Sequence, residues 1–194
     1  MFSHRCLNEI VDKMKYNINK ELIVLVGPMG AGKTTIGKIL AKELGFEFCD
    51  SDKEIEKRSG ANIPWIFDVE GELGFRDRET AVIEELSQRK GIILATGGGA
   101  MMRKENQDFV SRYGFVIYLN TSVEQQYKRT HKDRNRPLLQ GDKDAFQVLS
   151  ELFELRDPIY REVADLVMDT DKKSLKNVVK SIIDSLEESE PLNG

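Results

Sequence analysis

Cysteine is scarce in this chain of 194 residues: there are two, Cys6 and Cys49. They form no Cys-x-x-Cys pair and no disulfide framework. Cys49 falls in the short apolar stretch "FEFC", where a buried free thiol is expected. Histidine is equally rare, and His4 and His131 lie too far apart in the chain to suggest a histidine metal site. No apolar run approaches the roughly 20 residues of a membrane-spanning helix. Near the N-terminus, Arg5, Glu9, Asp12 and Lys13 stand where a secretory leader would need an apolar core. The expectation is a cytoplasmic protein with no membrane partner. Positive charge is also in deficit, with 29 Lys and Arg against 33 Asp and Glu and a net charge of −4. A general nucleic-acid binder would be basic, so none is expected as a partner. Local anion binding stays open, because a few arginines in a cleft suffice for it.

What the chain does have is short apolar runs alternating with helical stretches. Strands are expected at Leu22–Val26, Phe46–Cys49, Ile92–Ala95, Phe115–Leu119 and Leu166–Met168. Helices are expected over 33–44, 52–59, 62–87, 103–112, 122–130, 144–163 and 174–188. This alternation predicts βαβ units and one parallel sheet covered on both faces. Ligands in such sheets bind beyond the carboxyl ends of the strands. Residues 1–20 read as an N-terminal extension, with Leu7, Ile10, Val11 and Met14 at helical spacing. Residues 21–188 read as a single domain and 189–194 as a tail. The polar stretch "HKDRNRPLLQGDK" (131–143) reads as a mobile loop.

The first strand runs into "GPMGAGKT", which matches G-x-x-x-x-G-K-[ST] with Gly27, Gly32, Lys33 and Thr34 at the fixed positions. The glycines let successive N–H groups turn inward around an oxyanion, and the following helix adds the positive end of its dipole. Lys33 would reach the β and γ phosphates, and the Thr34 hydroxyl would ligate Mg²⁺. A strong strand before the motif and an amphipathic pattern after it (Ile36, Ile39, Leu40) favour a nucleotide site over a plain turn.

Other stretches are less decisive alone. In "CDSDKEIE", Asp50 and Asp52 can assist Mg²⁺ and orient an acceptor hydroxyl, or they can belong to a helix start. Ser51 with Glu54 reads as a capping box. In "FRDRE", Arg76 and Arg78 alone would read as a solvated face with pairs such as Glu72–Arg76. "ATGGGA" leaves bare backbone at Gly97, Gly98 and Gly99, where a small polar ligand can approach closely. Arg136 in "RNRP" and Arg156 in "LFELRDPIY" alone would be surface charges. Trp65 and Phe67 read as core or pocket wall.

Taken in order, "GPMGAGKTTIG", "DSDKEIE", "GELGFRDRE", "ATGGG", "RPLL" and "LRDPIYREVAD" resemble the shikimate kinases, from about Leu22 to about Ser185. The resemblance implies a three-layer α/β/α P-loop kinase fold with a five-stranded parallel sheet, order 2-3-1-4-5, and a mobile lid at about 131–143. It implies that Gly30, Ala31, Gly32, Lys33, Thr34 and Thr35 hold ATP, with Arg129 against the adenine and Arg136 reaching the transferring phosphate from the lid. Thr34 and Asp50 would hold Mg²⁺. Arg76 and Arg156 would grip the shikimate carboxylate, Asp52 the ring hydroxyls, and Gly97, Gly98 and Gly99 would line the site, walled by Phe67 and Phe75. Lys33, Asp52 and Arg136 would be catalytic. A monomer is expected.

The chain departs from the family in its length before Leu22. It also has Leu175 near the adenine loop, where some relatives carry proline. The rivals are another small-molecule kinase of this fold, such as a gluconate or nucleotide kinase, and a catalytically dead nucleotide-binding module. A GTP-binding switch would need an N-K-x-D motif, which the chain lacks.

Overall fold

The computed structural model describes residues 20–130, 144–171 and 173–188. The expected N-terminal helix, the expected lid with Arg136 and the tail lie outside the described residues. Five strands form one sheet: β1 (Leu22–Val26), β2 (Glu47–Asp50), β3 (Ile92–Ala95), β4 (Phe115–Asn120) and β5 (Leu166–Asp169). Their order is β2-β3-β1-β4-β5, and every neighbouring pair is parallel. Seven helices connect and flank them among the described residues: α1 (Lys33–Leu44), α2 (Ser51–Ser59), α3 (Ile63–Ser87), α4 (Lys104–Tyr113), α5 (Val123–Thr130), α6 (Ala145–Val163) and α7 (Leu175–Glu188).

The core divides along the period of the strands. Ile23 and Leu25 of β1, Ile93, Ile117 and Leu119 pack with Ile36 and Leu40 of α1 and Val178, Ile182 and Leu186 of α7. Val24, Val26, Leu94, Val116 and Tyr118 point the other way, onto Ile55, Phe75, Ile83, Val110 and Tyr160. All five β1 residues are buried, as expected for a central strand covered by helices on both faces. β2 is an edge strand, and this corrects the expectation for Cys49. Its thiol is free but only half-buried, beside Glu47 and Arg89.

Three details of the helices differ from the expected ones. β2 runs one residue further than expected, and α2 begins at Ser51. Its N-cap is Asp50, whose Oδ1 accepts from the Asp52 and Lys53 amides at 3.1 and 3.3 Å. Ser51 is therefore not the cap. Helix α3 is broken at Gly71, which has φ 71° and ψ −178°, a conformation other residues resist. Glu70 spans the break, accepting two 2.7 Å bonds from Arg78. Finally, Trp65 is 52% exposed rather than core, while the adjacent Ile66 is fully buried and carries the packing.

Register sets the site. Leu25 and Asp50 both pair with Ala95, so the carboxyl ends of β1, β2 and β3 lie side by side. The glycine-rich loop, α2 and the triple glycine lead off from these three ends and so share one edge of the sheet.

Candidate active site

The loop after β1 turns on Gly27, Gly30 and Gly32, all with positive φ. Gly32 is the N-cap of α1 and has no side chain to satisfy the first turn. The N–H groups at the start of α1 are thus directed at the loop's interior, where an anion can accept from them. The Lys33 ammonium sits in the mouth of the loop, donating to the carbonyls of Gly27 and Pro28 at 2.6 and 2.9 Å. Ala31 is buried, and Thr34 and Thr35 stand exposed on the first turn of α1.

Thr34 Oγ1 donates to Asp50 Oδ2 at 3.0 Å. Asp50 thereby uses one oxygen to cap α2 and turns the other towards the P-loop. A hydroxyl and a carboxylate oxygen in this position suit Mg²⁺, which is usually held by one or two carboxylates plus substrate phosphates and water. Among the described residues, no three His, Cys, Asp or Glu side chains gather into a metal cluster of their own. With one hydroxyl and one carboxylate oxygen, Thr34 and Asp50 leave the other positions to phosphate and water, so this donor set fits a nucleotide-borne ion.

The second half of the site is organised around the glycine run after β3. A Cβ on Gly97 would lie 2.7 Å from both Asp52 Oδ1 and Glu79 Oε1. One on Gly99 would lie 2.4 Å from the Arg76 guanidinium. On the neighbouring residue, Arg156 Nη1 donates to the Gly98 carbonyl at 3.2 Å. Arg76 from α3 and Arg156 from α6 thus meet adjacent glycines, although 80 residues separate them in the chain (156 − 76). Arg156 is 8% exposed, and its Nε is buried with no partner among the described residues. A buried cation with an unused donor beside bare backbone suits an anionic ligand.

Glu79 is a residue that sequence reasoning did not single out. It is fully buried, and its Oε2 accepts from Arg76 Nη1 at 2.7 Å, aiming the guanidinium across the glycines. Glu72 adds a weaker contact at 3.4 Å. Burial pushes the Glu79 carboxyl up from its ordinary value; Arg76 pulls it back, and the nearby Asp52 charge adds to the rise. Its signal was the three-residue spacing from Arg76, which puts both on one helix face. Phe67 and Phe75 stack at 4.6 Å, with Arg76 over the Phe75 ring.

On the far side of the P-loop, Arg129 donates to the Gly30 carbonyl at 2.9 Å and the Thr170 carbonyl at 3.3 Å, linking the loop to the end of β5. Leu175 opens α7 and is 46% exposed. Arg136 lies outside the described residues.

A P-loop facing an arginine-lined glycine run at the carboxyl edge of a parallel sheet defines a phosphotransferase that hands a nucleotide phosphoryl group to a small acid. Comparison with known proteins narrows the class: residues 29–187 match the shikimate kinase family, and the chain belongs to it. A shikimate kinase from Hahella chejuensis is 60% identical over 170 residues, 88% of each chain. One from Pseudomonas syringae pv. syringae is 59% identical over 169 residues, 87% of this chain and 98% of that protein. Among solved structures, a shikimate kinase from Acinetobacter baumannii is 47% identical, with a TM-score of 0.87 over 94% of this chain and 98% of that one. The chain is an enzyme of this family, which uses ATP as phosphoryl donor. No helix among the described residues is long and apolar enough to cross a membrane.

Proposed function

We propose that this enzyme carries the γ-phosphoryl group of ATP to the 3-hydroxyl of shikimate, using the P-loop, the two arginines and Asp52. The observation that carries the residue roles is the meeting of Arg76 and Arg156 at Gly98 and Gly99, beside Asp52 and facing the P-loop. The Acinetobacter relative was solved in complex with shikimate, which supports this acceptor.

In this reading, Gly30 to Thr35 cradle the phosphates with backbone N–H groups, and Arg129 flanks the adenine. The two guanidinium groups hold the substrate carboxylate, and the missing side chains of the glycine run leave room for the ring. Asp52 accepts the hydrogen bond of the reacting hydroxyl and takes its proton as the oxygen bonds to phosphorus. The bond from phosphorus to the bridging oxygen breaks, and Lys33 offsets the charge that ADP carries away. Mg²⁺, held by Thr34, Asp50 and phosphate oxygens, supplies further neutralisation of the phosphates when bound. Dependence on ATP supports a cytoplasmic location.

The test is an ADP-release assay over shikimate, gluconate and nucleoside monophosphates. Turnover is expected with shikimate alone, to be lost on chelation and restored by Mg²⁺. Turnover of gluconate or a nucleotide without shikimate would sink the assignment. For the carboxylate grip, Arg76→Lys and Arg156→Lys keep the charge but lose the bidentate fork. Each should raise the KM for shikimate about 10- to 100-fold, the worth of one or two charge-assisted hydrogen bonds, and leave the KM for ATP alone. An unchanged shikimate KM in both variants would remove the arginines from the acceptor site.

A further inference from the structure

The glycine run is held at two consecutive residues by hydroxyls of buried side chains to which neither the resemblance nor the mechanism assigns a role. Ser51 Oγ accepts from the Gly97 amide at 3.0 Å, although 46 residues separate them in the chain. Ser51 is fully buried. It is also the residue between Asp50 and Asp52, so this one bond ties both aspartates to the glycine run. One residue on, the Tyr160 hydroxyl donates to the Gly98 carbonyl, the same oxygen that accepts from Arg156 Nη1. Tyr160 is 1% exposed, and its ring stacks on Tyr118 at 5.1 Å. The Tyr118 hydroxyl in turn donates to Asp157 at 2.7 Å.

We infer that Ser51 and Tyr160 are positioning residues of the acceptor site, fixing the glycine run against Asp52 on one side and Arg156 on the other. This rests on the acceptor reading above. For Ser51 the reason is geometric. Gly97 already stands at contact distance from Asp52 and Glu79, and a Cβ there would collide with both at 2.7 Å. A slip of a few tenths of an ångström along this backbone therefore displaces Asp52 from the hydroxyl it serves.

Tyr160 matters at the moment Arg156 takes an anion. Arg156 Nη1 gives one of its N–H groups to the Gly98 carbonyl, and that bond loosens if the guanidinium turns to meet a substrate carboxylate. A buried carbonyl left without a donor is costly. The tyrosine hydroxyl keeps Gly98 satisfied, so Arg156 can turn to substrate without stranding it. Burial pushes the Tyr160 hydroxyl up to about 12, against the pull of Arg156, so it remains a donor at working pH.

The test uses Ser51→Ala, Ser51→Thr and Tyr160→Phe in the full-length enzyme, assayed well below the melting temperature of each. Ser51→Ala and Tyr160→Phe should each raise the KM for shikimate about five- to tenfold, the scale of one neutral hydrogen bond, with the KM for ATP unmoved. Ser51→Thr restores the hydroxyl and should recover most of the loss. Amide exchange at Gly97 should accelerate in Ser51→Ala with no substrate present, a readout independent of activity. If Ser51→Ala does not fold, Ser51→Cys, a poorer acceptor of similar size, is read in its place.

Shikimate and ATP constants that move together, or a lower melting temperature with unchanged constants, would make these scaffold residues and overturn the inference. Wild-type enzyme that ignores shikimate would instead overturn the acceptor reading, and the exchange at Gly97 would still report on the Ser51 bond.

Discussion

Replacing Lys33 with methionine should leave a folded protein that turns over about 10²- to 10³-fold more slowly or worse. Phosphoryl transfer asks little of the protein beyond positioning and charge neutralisation, and losing one dedicated donor of this kind costs about 10²- to 10³-fold or more. Methionine keeps an unbranched chain of similar length and removes only the ammonium. The fold should survive because the bonds lost, those to the Gly27 and Pro28 carbonyls among them, lie at a partly exposed loop mouth. As bonds from an ammonium, each contributes about 1.5 kcal/mol at this partly exposed site, the low end for charged donors and below the roughly 5–15 kcal/mol typical of a domain. Steady-state kinetics with a melting curve on the same sample checks this. Turnover near wild type would remove the P-loop lysine from the mechanism.

Asp52→Asn is expected to cost at least about 10² in turnover, the lower end for losing a general base. The structure makes this variant cleaner than the sequence suggested. Helix α2 is capped by Asp50, and Asp52 contributes only its amide to that cap. Asparagine at position 52 therefore leaves the cap intact and removes a favourable charge from the first turn, about 0.3–1 kcal/mol. The melting temperature should barely move. A normal shikimate KM with lost turnover would assign Asp52 as the base, and a raised KM would assign it to binding. Full activity would reduce it to a structural residue.

Lys33 is marked by the fixed spacing of the P-loop, whereas Asp52 is undecided from its local residues and is singled out only by the resemblance. The P-loop is legible because its chemistry is local: eight successive residues make the cradle, so no tertiary knowledge is needed. The strands were legible for a similar reason, since central parallel strands such as "LIVLV" are continuously apolar. The misreadings concern residues whose partners are distant. Ser51 matches a local capping pattern, but a Gly97 amide 46 residues away uses its hydroxyl, and Asp50 takes the cap. Glu79 reads as one more charge in "FRDRE" until the second half of α3 turns it onto the glycine run. The expected helix over 62–87 is continuous, whereas the positive φ of Gly71 divides α3 at a kink. The first half leaves Trp65 half exposed, where the sequence reading offered core or pocket wall.

The strand order also bears on how the chain acquires activity. The central strand β1 pairs with β3, with Leu22 against Ile92, and with β4, with Ile23 against Phe115. None of these contacts is local, and β1 must wait for two later strands before it has both neighbours. Parallel sheets with such separations fold slowly, because the loops must close before the contacts reward them. The acceptor site waits longer still, since Arg156 and Tyr160 arrive on α6, after four of the five strands. During synthesis the P-loop motif leaves the ribosome early, but its flanking strand has no sheet to join. Recovered catalysis should therefore be among the last signals to appear in a refolding experiment, lagging behind helix formation.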